Sequence, residues 1–246
     1  MTDPRAAPIE AIRFFLAKGI QPGFAYDDIF GEEHLRAFTA AKFMREDVLE
    51  LVQESLDGAL EEGLDYRSWV ALLEPRLQAA GFWGAQQVTD PFSGAVADID
   101  VPSRLRLIYE TNTRTAMAAG QYERVQRTKR SHPYLLYQLG PSRVHRPEHV
   151  RWAGLLLPVD DPFWATHYPP NGYGCKCHVR QVSRYEYDEL VAAAESGGPQ
   201  SARIKTARPR IRRRKWRSKR TGEEYLVPVG IDPGFDHPPN RSLTRR

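Results

Sequence analysis

Cysteine is almost absent from this chain: Cys175 and Cys177 are the only two in 246 residues. So few thiols exclude the oxidised, disulfide-built scaffold of small secreted domains. A bridge between residues only two apart would strain disulfide geometry, so neither is expected to be a half-cystine. No run of 18 apolar residues occurs, and the N-terminus lacks the charged-then-apolar pattern of a secretory signal. The compartment expected from these absences is a reducing bacterial cytoplasm. Internal repeats, a P-loop, a G-x-G-x-x-G unit after a strand and a G-x-S-x-G elbow are missing too.

Charge is scarce in net terms, +4 overall, but it is unevenly spread. Residues 196–246 hold 14 basic and 4 acidic side chains, leaving 21 basic and 27 acidic before them. An acidic body with a net charge of −6 thus carries a basic tail of +10. Such asymmetry calls for an anionic partner for the tail.

What is present is concentrated in residues 142–183. Both cysteines lie there, with His145, His149, His167 and His178 and the turn-forming tract PPNGYG. Thiolate and imidazole are the ligands of closed structural zinc sites. The expected set is His149 and His167 from one limb with Cys175 and Cys177 from the other; His145 and His178 compete. A C-x-C pair is less diagnostic than two C-x-x-C knuckles, and two buried inert thiols are the plain alternative.

Periodicity outlines the rest. Ile9, Ile12, Phe15 and Leu16 share one helical face. Leu35, Phe38, Ala41, Val48, Val52, Leu56 and Leu60 suggest one long helix over 32–62. A second, over 66–80, carries Trp69, Leu72, Leu73 and Leu77, with a kink or restart expected at Pro75. Phe24, Tyr26 and Phe30 lie in a turn-rich stretch and are expected to be an exposed docking set. Pro102 opens a helix running to about Lys129, whose Asn112, Thr115, Ala119 and Tyr122 form a polar stripe that could reach the central loop. YLLYQLG (134–140), LLLPV (155–159) and CHVRQV (177–182) read as strands, and Ser183 with Glu186 as a capping box for a helix to Glu195.

Residues 201–220 contain 11 basic residues and no acid, and RRRKWRSKRTGEEYLVPVG reads as a hairpin turning at Thr221-Gly222. Arg212, Arg213, Arg214, Lys215, Arg217, Lys219 and Arg220 could neutralise phosphates while Trp216 stacks on a base. Pairing of these arginines with the acidic body is the rival. The final DPGFDHPPNRSLTRR has too little apolar content to fold alone. The class expected is α+β: a helical N-terminal domain (1–95), a small turn-rich domain with strands (96–195), and a basic hairpin and tail (196–246).

The stretch HRPEHVRWAGLLLPVDDPFWATHYPPNGYGCKCHV resembles the signature of the phage Mu protein F-like family. It has the R-P-x-H element, a glycine, D-x-F/W and P-P-N-G-x-G-C-x-C. The N-terminal EAIRFFLAKG to DGALEEG and the late GIDPGF are similar as well. The resemblance implies a minor head or head-morphogenesis protein of a tailed phage or prophage, not an enzyme. Its setting would be assembly near the portal, in the host cytoplasm and then the virion head. Portal, capsid or scaffold proteins would be its partners, and double-stranded DNA a non-specific one. The competing function is a metal-dependent hydrolase using His145, His149, Asp160 and Asp161, or Cys175 as nucleophile.

Overall fold

The computed structural model of the chain, which describes residues 7–25, 28, 33–196, 204–218 and 221–240, has the mixed α+β composition that the patterns suggest. Compactness divides the chain into Met1–Gly120 with Ser218–Glu223, and Gln121–Arg217 with Glu224–Arg246.

In the first unit, α1 (Ile9–Leu16) leads to β1 (Gly19–Ile20), then α2 (Glu33–Arg36) and β2 (Ala37–Phe38). The long helix expected over 32–62 is therefore broken. Ala37 and Phe38 pair in parallel with Gly19 and Ile20, and Lys42 takes a positive φ of 71°. The break turns Phe38 and Phe43, both fully buried, into the core beside Phe15. Helix α3 (Glu46–Glu62) then buries Val48, Leu49, Val52, Leu56 and Leu60 at three- and four-residue steps.

Asp65 caps α4 (Tyr66–Ala79) by accepting from the Ser68 amide at 2.8 Å. Pro75 does not end this helix. Both Pro75 and Ala71 are exposed, so the carbonyl that loses its donor lies on the solvent side. A hairpin of β3 (Ala85–Thr89) and β4 (Val96–Asp100) follows, then α5 (Val101–Thr128), which runs across the division. Phe24 is half-buried with the Lys42 ammonium 4.5 Å from its ring centre, so it is not an open docking contact. Tyr26 and Phe30 lie outside the described residues.

The second unit is built on an antiparallel sheet of order β6-β5-β7: β5 (Tyr134–Gln138), β6 (Leu156–Pro158) and β7 (His178–Val182). Between these strands lie α6 (Pro147–Trp152) and α7 (Trp164–His167); α8 (Arg184–Glu195), β8 (Arg213–Arg217) and β9 (Glu224–Pro228) complete the unit. Leu135, Tyr137, Leu157 and Val179 face one core, and Leu136, Leu156 and Val182 face another under Tyr187 and Leu190 of α8. Burial on both faces explains the apolar runs of β5 and β6. The segment after β9 also enters this core, as its inability to fold alone requires. Ile231 and Phe235 are buried beside Trp152 and Cys175, which supplies the apolar contacts that the segment lacks by itself.

Candidate metal centre

The short helix α6 starts on Pro147, whose missing N–H costs nothing at a first helical position. Its inward face carries His149 and Trp152, three residues apart and both buried, with the imidazole stacked on the indole at 5.1 Å. His149 donates its Nε2–H to the Gly230 carbonyl at 2.9 Å. A carbonyl can only accept, so this bond fixes the tautomer and leaves the lone pair on Nδ1.

That Nδ1 lies 3.5 Å from Cys177 Sγ and 3.8 Å from Cys175 Sγ. The three ligand atoms fall within 4.8 Å of one another. A tetrahedral ion with N and S ligands at zinc distances leaves N···S edges of about 3.6 Å. The spacing therefore suits one ion held by His149, Cys175 and Cys177.

The sulfurs are already arranged for negative charge. Cys177 is pushed well below the ordinary thiol range, first by the hydrogen bond from Cys175 and then by the neighbouring His149 and Tyr137, against the opposing effect of burial. Cys175 is pushed up by the proton it shares with Cys177 and by burial, although the backbone N–H groups of Asn171 and Cys177 both donate to its sulfur. The two sulfurs are thus shifted in opposite directions. A divalent cation would let both ionise.

The loop carrying the cysteines is tied down on its far side. Asp232 Oδ2 accepts from Arg146 Nη2 at 2.8 Å and from the Tyr173 amide at 2.9 Å, while Arg146 also reaches the Tyr173 carbonyl at 3.1 Å. The Asp232 amide donates to the Asn171 carbonyl at 3.1 Å. Gly140 lets the end of the first strand pass the Cys175–Cys177 peptide, since a Cβ there would sit 1.8 Å from the Lys176 carbonyl oxygen.

Three of the four expected ligands are thus together, and His167 stands apart. It is buried on Phe163 and Trp152, with Nδ1 2.7 Å from the Thr166 hydroxyl, and burial lowers it from 6.5 to about 4. The competitors are elsewhere: His145 contacts the Gly140 carbonyl at 2.9 Å, and His178 is exposed. Asp160 pairs with Lys129, and Asp161 accepts from the Phe163 amide. The proposed hydrolytic set is therefore not assembled around His149.

The stripe of α5 reaches the central loop at Tyr122, whose ring meets Tyr168 edge-on at 5.2 Å, but not through its first polar members. Asn112 and Thr115 bond back to Ile108 and Thr111 of their own helix. Gln121 makes the link within the second unit, donating to the Val179 carbonyl at 2.8 Å and accepting from the Tyr168 hydroxyl at 3.3 Å. Gly230, Asp232, Tyr137 and Gln121 were not singled out by ligand chemistry; only the GIDPGF resemblance touched Gly230 and Asp232.

The basic hairpin forms, with Trp216 opposite Tyr225 at 6.0 Å between ring centres. Arg213, Arg214, Lys215 and Arg217 are exposed, whereas Trp216 is half-buried. Part of the charge is met in cis: Arg212 pairs with Glu148 at 2.6 Å and Lys215 with Glu224 at 3.1 Å. Lys219 and Arg220 lie outside the described residues.

Residues 50–180 match the family described as Phage Mu protein F like protein. The chain is 40% identical over 188 residues to the putative capsid assembly protein F of Escherichia phage Mu, covering 76% of this chain and 43% of that protein. It is 34% identical over 152 residues to the Mu-like prophage FluMu F protein of Haemophilus influenzae, covering 62% of this chain and 36% of that one. This chain therefore spans less than half the length of those relatives. No solved structure matches it.

Proposed function

Because the chain belongs to the Phage Mu protein F like family, we propose that it serves head assembly of a tailed phage or prophage as a minor structural component acting near the portal. The observation that carries this reading is the 40% identity to a protein named for capsid assembly, over 76% of this chain. Portal, capsid or scaffold proteins are its partners, in the host cytoplasm and then in the head. The matched segment, 50–180, contains Arg146, His149, Cys175 and Cys177. In this reading a zinc ion on His149, Cys175 and Cys177, all three of them buried, staples the fold.

The remaining parts of the proposal follow the charge. The helical layer 1–95 and the region 96–195 meet head proteins, while the hairpin of 196–246 touches packaged DNA through exposed Arg213, Arg214, Lys215 and Arg217. Arg212, engaged by Glu148, belongs to the fold more than to the DNA contact.

Deleting the coding sequence from the element that bears it, then supplying the intact chain or its Cys175→Ser form in trans, tests the assembly role. Intact heads are expected with the intact chain and sharply fewer with Cys175→Ser. Normal yields of DNA-filled heads without any supplied chain would refute the reading.

A further inference from the structure

Tyr137 and Asn171 are both fully buried beside the sulfurs, and their hydrogen bonds do not balance. The Tyr137 hydroxyl lies 2.8 Å from Asn171 Oδ1, where it donates, and it is also near enough to Cys177 to help hold that thiol low. A phenol has one proton to give. Two acceptors therefore compete for it, while the Asn171 Nδ2 donor next to them is buried without a partner. Leaving such a donor unmet is costly.

Strand register makes the sulfur contact a fixture of the fold. Tyr137 stands opposite Val179 across the β5–β7 pair, and Cys177 lies two residues before Val179. The two side chains are thus diagonal neighbours on one face, within reach of a long aromatic ring.

We infer that Tyr137 and Asn171 are positioning residues of the metal centre: Asn171 Nδ2–H donates to Tyr137 Oη, and the Tyr137 O–H donates to Cys177 Sγ. This rests on the metal reading, in which both sulfurs are thiolates and can only accept. The oxygen and nitrogen of an amide exchange places by a half-turn about one bond, and the surrounding network decides between them. The half-turn gives the orphaned donor a partner and sends the phenol proton to the charged sulfur. The oxygen then left bare is an acceptor, which is tolerated more readily than a bare donor.

Asn171 then attends both ligands. Its backbone N–H donates to Cys175 Sγ, and its side chain acts on Cys177 through Tyr137. The asparagine of PPNGYG is in this view a part of the centre as well as a turn residue. Groups of this kind orient ligands and tune their basicity, and their loss commonly lowers metal affinity roughly 10–100-fold.

The test is the cobalt(II)-substituted intact chain, whose sulfur-to-cobalt charge-transfer band reports hydrogen bonds on the thiolates. Tyr137→Phe is expected to move the band to lower energy and to weaken zinc binding roughly 10–100-fold. A band and affinity unchanged in a folded Tyr137→Phe chain overturn the inference. Asn171→Leu discriminates by sign. If Tyr137 already donates to Cys177, the band stays or moves to lower energy. If Tyr137 was tied to Asn171, it is freed and the band moves to higher energy, which also overturns the inference. Should either variant fail to fold, the cadmium-113 form of the unaltered chain decides. A hydrogen-bond-mediated coupling between the Tyr137 hydroxyl proton and cadmium is expected, and its absence beside couplings from the Asn171 and Cys177 amides refutes the relay. An unaltered chain with no thiolate–cobalt band refutes the metal reading itself, a result distinct from all of these.

Discussion

Gly140→Ala perturbs the candidate metal site without touching a candidate ligand. The added Cβ would lie 1.8 Å from the Lys176 carbonyl oxygen and 2.5 Å from its carbon. Both are backbone atoms of the peptide joining Cys175 to Cys177, so no side chain can swing away. Ordinary packing requires the strand end and that peptide to part by about 1 Å or more, and overpacking of this kind costs about 1–3 kcal/mol. At roughly 4 °C per kcal/mol for a unit of this size, melting should fall by about 4–12 °C. The displaced peptide carries both sulfurs, whereas metal–ligand distances tolerate about 0.2 Å. Zinc affinity should therefore fall with stability, although every ligand is retained. Calorimetric melting with and without zinc, beside elemental analysis of the purified chain, checks both. One zinc per chain is expected in the unaltered protein and less in Gly140→Ala. A variant that melts like the parent and binds zinc as tightly would show that the close passage at Lys176 is not a constraint.

Two further outcomes follow from other parts of the second unit. His167 is held neutral, its folded value lowered by burial from 6.5 to about 4 while Arg213 and His149 add to the shift. Glu148, Arg210 and Arg212 line the same small cavity of about 20 Å³. The unfolded chain therefore binds the extra proton between those values, so stability is lost as pH falls from about 6.5 to about 4, by about 3 kcal/mol at most. Urea unfolding with chelator present should show this slope in the parent and a smaller one in His167→Asn; equal slopes would place the acid sensitivity elsewhere. On the hairpin, changing Arg213, Arg214 and Lys215 together to glutamine should weaken binding to random-sequence duplex DNA and shallow its salt dependence by roughly 2–3 units of log–log slope. Fluorescence anisotropy at stepped salt measures it, and an unchanged slope would remove DNA from the partners of this face.

Local pattern made much of the fold legible. The spacing of Val48, Val52, Leu56 and Leu60 gave α3, and the three strand patterns after residue 133 each gave a strand, though not their burial on both faces. The break before α3 was not legible, because it depends on Ala37 and Phe38 pairing with Gly19 and Ile20. The metal residues were half legible. Ligand chemistry pointed to both cysteines, but four histidines shared the same stretch. His149 meets them because α6 turns it inward over Trp152 and the Gly230 carbonyl, 81 residues away, orients its ring. His167 is chemically equal in the sequence, yet its position on α7 spends it against Phe163 and Thr166. No spacing rule separates these two cases.

The same distance effect changes what the basic tail is. By charge alone it is an appendage for a polyanion, and its exposed arginines still suit one. Yet Arg212 at the start of the hairpin holds Glu148, and Gly230 just beyond its second strand holds His149. Glu148 and His149 are consecutive on α6, so both ends of the hairpin are fastened to one turn of one helix. Gly230 has a φ of 93°, and a Cβ there would meet Glu148 Cβ at 2.5 Å, which leaves glycine as the residue that permits this fastening. A load placed on the hairpin would act first on the Gly230 carbonyl and then on the tautomer of His149. Gly230 is thereby part of the candidate metal site, and a chain cut before it would keep all three candidate ligands while losing the bond that aims one of them.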